Sequence, residues 1–177
     1  MKLPRRRVVK AAVAAGLVAA GGVVAVVRTR GYEAPGRALV AVSPWQYAVL
    51  QHVARRFCAP DRDGVPDADA IDVAGFCDRW IAEMSPVTRK DLLGLLGYVE
   101  HVLPVTCGLG RRFTALPVEA QDRALSALER SSVDLLRGGF QGLKALIFLG
   151  YYRDPRTWSI AGYDGPLVRR PARGWWP

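Results

Sequence analysis

The apolar residues of this chain recur every three or four positions from residue 45 to residue 151, and this periodicity is what most restricts the fold. Such spacing places apolar side chains on one face of an α-helix, whereas a half-buried strand alternates at every second residue. No long stretch alternates in that way. The sequence therefore predicts an all-α fold, a single compact bundle of about five helices with short connections.

The helix boundaries are indicated by proline and by the apolar stripes. Ser-Pro at 43–44, Ser-Pro at 85–86 and Leu-Pro at 116–117 precede three of the stripes, and proline is favoured in the first turn of a helix. We expect Pro104 to end the third helix. The fifth stripe is the broadest, which indicates burial on more than one side or contact with a partner. The stripes predict helices that begin near Trp45, Val73, Pro86, Val118 and Val133.

The charge is concentrated at the two ends of the chain. Lysine and arginine number 25 against 16 acids, a formal net charge of +9. Residues 1–37 carry +7 and residues 165–177 carry +3, which leaves −1 for the rest. A protein that binds nucleic acid through its folded face needs a basic stripe on that face. The nearly neutral body therefore argues against nucleic acid as a partner.

Residues 1–37 have the layout of an export signal followed by a linker. A basic stretch reaches Lys10, and residues 11–27 are apolar and rich in alanine and glycine. Two further arginines close the run, and residues 31–42, which contain glycine and proline, are predicted to be a linker. A transmembrane anchor remains the alternative, although 17 residues are at the lower limit for a span of usually about 20. Cleavage and retention of the segment both stay open.

The basic stretch resembles the twin-arginine export motif, which has paired arginines, a variable residue, two hydrophobic residues and a lysine. Arg5 and Arg6 take the paired positions, Val8 and Val9 the hydrophobic ones, and Lys10 the last. The valines depart modestly from the more usual Phe-Leu. The resemblance implies recognition by the twin-arginine translocase and export of an already folded protein across a bacterial cytoplasmic membrane.

The chain has only two histidines and three cysteines, so no catalytic, cofactor-binding or metal site is predicted. His52 and His101 lie on or near apolar helix faces, where a packed histidine is the usual interpretation. No CxxC spacing and no glycine-rich phosphate loop occur. Three cysteines cannot all pair within one chain. A Cys58–Cys77 bridge with Cys107 bonded to another chain, and three buried thiols, both remain open.

The C-terminal segment changes character after Asp154. Residues 156–177 are rich in Gly, Pro, Arg and Trp and show no periodicity, which predicts an irregular aromatic tail. Its last part, residues 168–177, is basic and contains two tryptophans. Exposed aromatic side chains are costly unless they dock on something. They are predicted to dock on a partner or to pack back on their own domain.

One motif in this segment carries a family resemblance. Residues 158–166 read W-x-x-x-G-Y-x-G-P, after an aromatic helix end at 148–152. This resembles the small subunit of membrane-bound gluconate 2-dehydrogenase, and the likeness covers roughly residues 43–167 within a predicted domain 38–167. The stretch Arg112–Pro117 before the fourth helix agrees with it.

The resemblance implies a non-catalytic subunit that carries the export signal for a larger chain and stabilises it. The implied partner is a flavoprotein of the glucose-methanol-choline type that binds FAD and oxidises a sugar or alcohol, with a multihaem cytochrome c as a further partner. The implied location is the periplasm or the periplasmic face of the cytoplasmic membrane. A standalone membrane-tethered interaction protein without a redox partner is the alternative, and an enzyme whose Asp and His residues meet only on folding is a third. The residues predicted to dock on the partner are Tyr151, Tyr152, Trp158, Gly162, Tyr163, Gly165 and Pro166.

Overall fold

A computed structural model describes residue 32 and residues 35–60 and 64–166 of the chain. Within these ranges all regular structure is helical, which confirms the all-α prediction. The export motif and the tail 168–177 lie outside the described residues. Within the described ranges, no helix is long and apolar enough to cross a membrane. The α-helices are α1 Pro44–Phe57, α2 Val73–Glu83, α3 Pro86–Gly97, α4 Leu103–Thr106, α5 Val118–Glu129 and α6 Asp134–Tyr152.

Three shorter elements connect the helices. A π-helical turn, Tyr98–Val102, joins α3 to α4, and a 3-10 turn, Phe113–Ala115, precedes α5. A second 3-10 helix, Pro155–Ala161, follows α6. The prediction that everything after Asp154 is irregular is therefore wrong for this stretch. Its start is stabilised locally, since the Asp154 side chain accepts a hydrogen bond from the backbone N–H of Arg156 at 3.0 Å.

The two Ser-Pro pairs begin helices as predicted. At the start of α1 the Gln46 side chain reaches back and accepts a hydrogen bond from the backbone N–H of Ser43 at 2.8 Å. At the start of α3 the Ser85 hydroxyl accepts one from the backbone N–H of Thr88 at 3.2 Å. These bonds satisfy amides that have no partner within their helix.

Pro104 does not stop the helical path, contrary to the prediction. Before Pro104 the chain makes the π-helical turn, in which the Leu103 N–H donates to the Tyr98 carbonyl five residues back. Pro104 then falls in the first turn of the next helix, α4. The N–H groups of a helix's first turn have no acceptor within that helix. Proline, which has no N–H, is therefore tolerated there.

The core lies between α1, α2 and α6, with α3 and α5 packed around them. Val53, Val73 and Ile147 are wholly buried at its centre. Helices α6 and α2 approach closely at Gly150 of α6, where an added Cβ would lie 2.8 Å from a ring carbon of Phe76 on α2. The aromatic side of α2 therefore requires a glycine at this position.

Residues 35–43, predicted to be a linker up to Val42, pack on the body and are called the strap below. The Asp78 carboxylate of α2 is buried and accepts hydrogen bonds from the backbone N–H groups of Val40, Ala41 and Val42. Arg37 pairs with Asp72 at 2.7 Å. The strap is thus tied to the helices before the first helix begins.

Candidate docking surface

One side of α6 presents an uncharged row to solvent, called the α6 face. Leu135 is 76% exposed and Leu149 is 47% exposed, although both are leucines. The opposite side of the helix is buried in the core. The broad apolar stripe of the sequence therefore has two sides, one that faces the core and one that faces solvent. The α6 face consists of Leu135, Gly138, Gly142, Ala145, Leu149 and Tyr152, spaced by three and four residues.

The two glycines of the α6 face have no packing reason within the described structure. A Cβ added at Gly138 or Gly142 would meet no described atom within 4 Å beyond the backbone of its own helix. Gly139 differs, because its Cβ would lie 3.3 Å from Leu95. A glycine inside a helix costs about 0.5–1 kcal/mol relative to alanine. Small residues on an exposed helix face permit the close approach of another backbone.

The C-terminal 3-10 helix places an aromatic pair beside the end of this face. The Trp158 indole N–H donates to the Tyr152 carbonyl at 2.8 Å, and its ring lies 5.0 Å from that of Tyr163. Tyr163 is 48% exposed. The structure thus brings together three of the residues that the sequence predicts to dock.

Two glycines make the turn that folds this segment back. Gly162 has a φ of +63° and Gly165 a φ of +106°, a left-handed region that favours glycine. A Cβ at Gly165 would lie 3.3 Å from the Trp158 ring. Pro166 follows and is exposed. The two predicted glycines therefore shape the aromatic pair and supply no side chain of their own.

Tyr151 is placed differently from its predicted neighbours. Its side chain is buried, and its hydroxyl donates to the Pro66 carbonyl at 2.9 Å. It fixes the loop before α2 to the end of α6. In this conformation its side chain presents almost no surface to another chain.

Ion pairs involve α6 and the segment that follows it. The Arg156 guanidinium binds the Asp154 carboxylate at 2.7 Å, and this hydrogen bond holds the pKa of Asp154 down to about 2. Lys144 on α6 pairs with Glu129 of α5 at 3.2 Å. The six residues of the α6 face carry no charge themselves.

The cysteines are free thiols in the structure, and their pairing in a complex stays a prediction. Cys58 at the end of α1 and Cys77 on α2 are buried, and burial raises the pKa of each thiol to about 12. Cys107, after α4, is half-buried. The two buried thiols are suited to packing, because the reactive form of cysteine is the thiolate.

The histidines occupy separate sites. The His52 ring lies 2.9 Å from the Gln121 amide nitrogen, and burial lowers the pKa of His52. His101 is buried, with its ring 5.5 Å from that of Trp45. In the described ranges no group of three or more His, Cys, Asp or Glu side chains is arranged to hold a metal ion.

Sequence reasoning missed two buried carboxylates, Asp78 and Glu100. Each has apolar residues three and four positions away on both sides, and this was the available signal: an acid within an apolar stripe is rarely buried without partners. The partners of these two acids could not be predicted from the sequence. The strap donors of Asp78 lie 36 to 38 positions away, and Tyr32 lies 68 positions from Glu100.

The described residues form a helical protein, and comparison with protein families gives one match. A family model described as gluconate 2-dehydrogenase subunit 3 matches residues 44–165. The chain belongs to this family. It is thus an accessory subunit of an oxidoreductase complex, which implies a catalytic partner subunit. Comparison with curated proteins and with solved structures gives no match.

Proposed function

We propose that this chain is the non-catalytic small subunit of a periplasmic or membrane-associated FAD-dependent dehydrogenase of the glucose-methanol-choline type. In this proposal it stabilises the catalytic flavoprotein and carries the export signal for it. The family match over residues 44–165 is the observation that supports this most strongly. FAD belongs to the partner subunit, and a multihaem cytochrome c is a further partner that accepts the electrons.

The α6 face and the Trp158–Tyr163 pair form the proposed contact surface. Exposed apolar residues in a row three and four apart are suited to packing against another helix or an apolar groove. Tryptophan and tyrosine are among the residues that contribute most to binding energy at interfaces. The surface is continuous, since Trp158 is hydrogen-bonded to Tyr152 at the end of the face.

The proposed export role follows from the sequence motif around Arg5 and Arg6. A flavoprotein that binds its cofactor in the cytoplasm has to cross the membrane folded, and the twin-arginine route moves folded proteins. A partner without its own signal would then cross only when bound to this chain. The complex would act in the periplasm or at the periplasmic face of the membrane.

Docking is tested by co-expressing the chain with a candidate flavoprotein subunit of the glucose-methanol-choline type and measuring flavin retained in a pull-down. We expect Leu149→Lys, and the double change Trp158→Ala with Tyr163→Ala, each to reduce retained flavin at least about tenfold. The matched control is Val105→Lys, at a valine on α4 that is 64% exposed against 47% for Leu149. Full retention by both variants, with native circular dichroism, would rule out the proposed surface.

Export is tested separately with Arg5→Lys and Arg6→Lys together. The flavoprotein should then remain in the cytoplasm while pull-down from lysate is unchanged, because the motif is read by the translocase and not by the partner. Periplasmic flavoprotein at the wild-type level in this variant would refute the export role.

A further inference from the structure

A tyrosine near the start of the described chain reaches a buried carboxylate. The Tyr32 hydroxyl donates a short hydrogen bond to Glu100 Oε1 on the π-helical turn. The same carboxylate accepts from the backbone N–H and the hydroxyl of Thr114, at 3.0 and 2.7 Å. Arg112 lies over the Tyr32 ring, 4.2 Å from its centre. Tyr32 is thus held through both its hydroxyl and its ring.

The chemistry of the pocket explains why it holds a tyrosine. Glu100 is 0% exposed, and loss of water raises its pKa. A buried carboxylate requires partners, and the Arg112 guanidinium adds a positive charge 3.9 Å away. A phenol supplies a hydroxyl donor and an apolar ring, which suits a site with a carboxylate at its base and a guanidinium at its edge.

The pocket is assembled from parts that are separate in the sequence. Glu100 comes from the π-helical turn, Thr114 from the 3-10 turn before α5, and Tyr32 from a position 12 residues before α1. The carboxylate therefore meets its donors only when the chain between residues 98 and 114 has folded.

The strap is fixed independently of Tyr32. Asp78 holds three successive amides, and the Arg37–Asp72 pair lies where Gly75 leaves room for it, since a Cβ there would be 1.6 Å from the Arg37 guanidinium. Two attachments thus exist, one at the strap and one at Tyr32.

We propose that Tyr32 and its Glu100 pocket form a latch that fixes the end of the N-terminal segment to the folded body. Residues 1–31 would then leave the body at the π-helical turn, and not at the strap. Without the latch, the first anchored residue is Arg37 or Val40, which adds roughly 15–30 Å of free chain at about 3.5 Å per residue. The latch rests on the proposed function only for the role of residues 1–31 as an export signal. The latch makes the attachment of residues 1–31 to the body depend on the folding of residues 98–114.

The test uses the unprocessed full-length chain and limited trypsin digestion. The bond after Arg30 lies two residues from Tyr32, so cleavage requires the latch to open. We expect Tyr32→Phe to speed this cleavage about tenfold and Tyr32→Ala more, because the first removes the hydroxyl and the second the ring as well. Cleavage after Arg7 serves as the internal reference and should not change.

Hydrogen exchange supplies the controls. The amides of Val40 and Val42 should stay protected in both Tyr32 variants, since Asp78 holds them. Tyr163→Phe, the same chemical change at an exposed tyrosine, should leave cleavage after Arg30 at the wild-type rate. Equal cleavage after Arg30 in the wild type and both Tyr32 variants overturns the latch. This readout needs neither flavoprotein nor translocase, so its failure is distinguishable from failure of the pull-down or of export.

Discussion

The sharpest stability prediction concerns Asp78, the buried acid beneath the strap. Its carboxylate accepts three backbone N–H groups at 2.8, 2.8 and 3.0 Å. In Asp78→Asn one oxygen becomes an NH₂ group, which cannot accept a hydrogen bond and faces an N–H. A hydrogen bond to a charged group contributes about 1.5–3 kcal/mol, so we expect the free energy of unfolding to fall by about 2 kcal/mol. Asp78→Ala should lower it by about 3–4 kcal/mol, because the Val42 amide is then buried without an acceptor.

The assay is urea unfolding followed by circular dichroism. With an m-value of about 1.5 kcal/mol/M, Asp78→Asn should lower the midpoint by about 1.3 M. The matched control is Asp91→Asn on α3, an exposed acid, whose midpoint should shift by no more than about 0.3 M. The amides of Val40 and Val42 should also exchange faster in the Asp78 variants. If Asp78→Asn and Asp91→Asn unfold at the same urea concentration, the strap contributes little to stability and the reasoning is wrong.

Three further outcomes are expected. Gly142→Ala should raise the free energy of unfolding of the isolated chain by about 0.5–1 kcal/mol, whereas Gly150→Ala should lower it by about 1–3 kcal/mol, since only the second methyl group meets a neighbouring ring. Burial raises the pKa of Glu100 above its ordinary value of 4.5, so its contribution to stability is full below that value and is lost as pH rises through the folded pKa. The stability of wild type relative to Glu100→Gln, measured by urea unfolding, should therefore fall as the pH rises above about 4.5. Iodoacetamide should label Cys58 and Cys77 roughly a thousandfold more slowly in the native chain than in urea, as mass spectrometry of the labelled peptides would show.

Each of these has a result that contradicts it. Equal destabilisation by alanine at both glycines would mean that the exposed side of α6 is packed in solution. A stability difference between wild type and Glu100→Gln that does not vary with pH would mean that Glu100 titrates as it does in the unfolded chain. Native labelling of the two thiols as fast as in urea would mean that they are accessible.

The helices and their starts were predictable because their causes are local. Ser43 and Ser85 precede prolines, and the apolar spacing repeats at the period of the helix. The effect of Pro104 was not predictable from its position alone. Its effect depended on whether the preceding turn could shift register, and the π-helical bond from Leu103 to Tyr98 is a property of the folded path.

The docking residues were predicted only in part. The motif at 158–166 indicated the aromatic pair, and the structure places Trp158 and Tyr163 together. It also buries Tyr151, because successive helix residues point about 100° apart and only one of the two tyrosines lies towards solvent. In the sequence, the exposed leucines of α6 belong to one broad apolar stripe. Which side of that stripe faces the core depends on where α2 and α5 pack.

The sequence by itself therefore determined the helical class and the family, since these depend on spacing and short motifs, and it predicts an export signal in residues 1–37. The tertiary structure alone decided which apolar surface remains open and what holds the N-terminal part of the chain to the body. Asp78 finds its donors 36 to 38 residues away and Glu100 finds them 14 and 68 residues away, and such contacts arise from packing. No local periodicity encodes the pairing of a buried acid with a distant strap or tyrosine. The cost of leaving such a carboxylate unpaired is what fixes those segments in place.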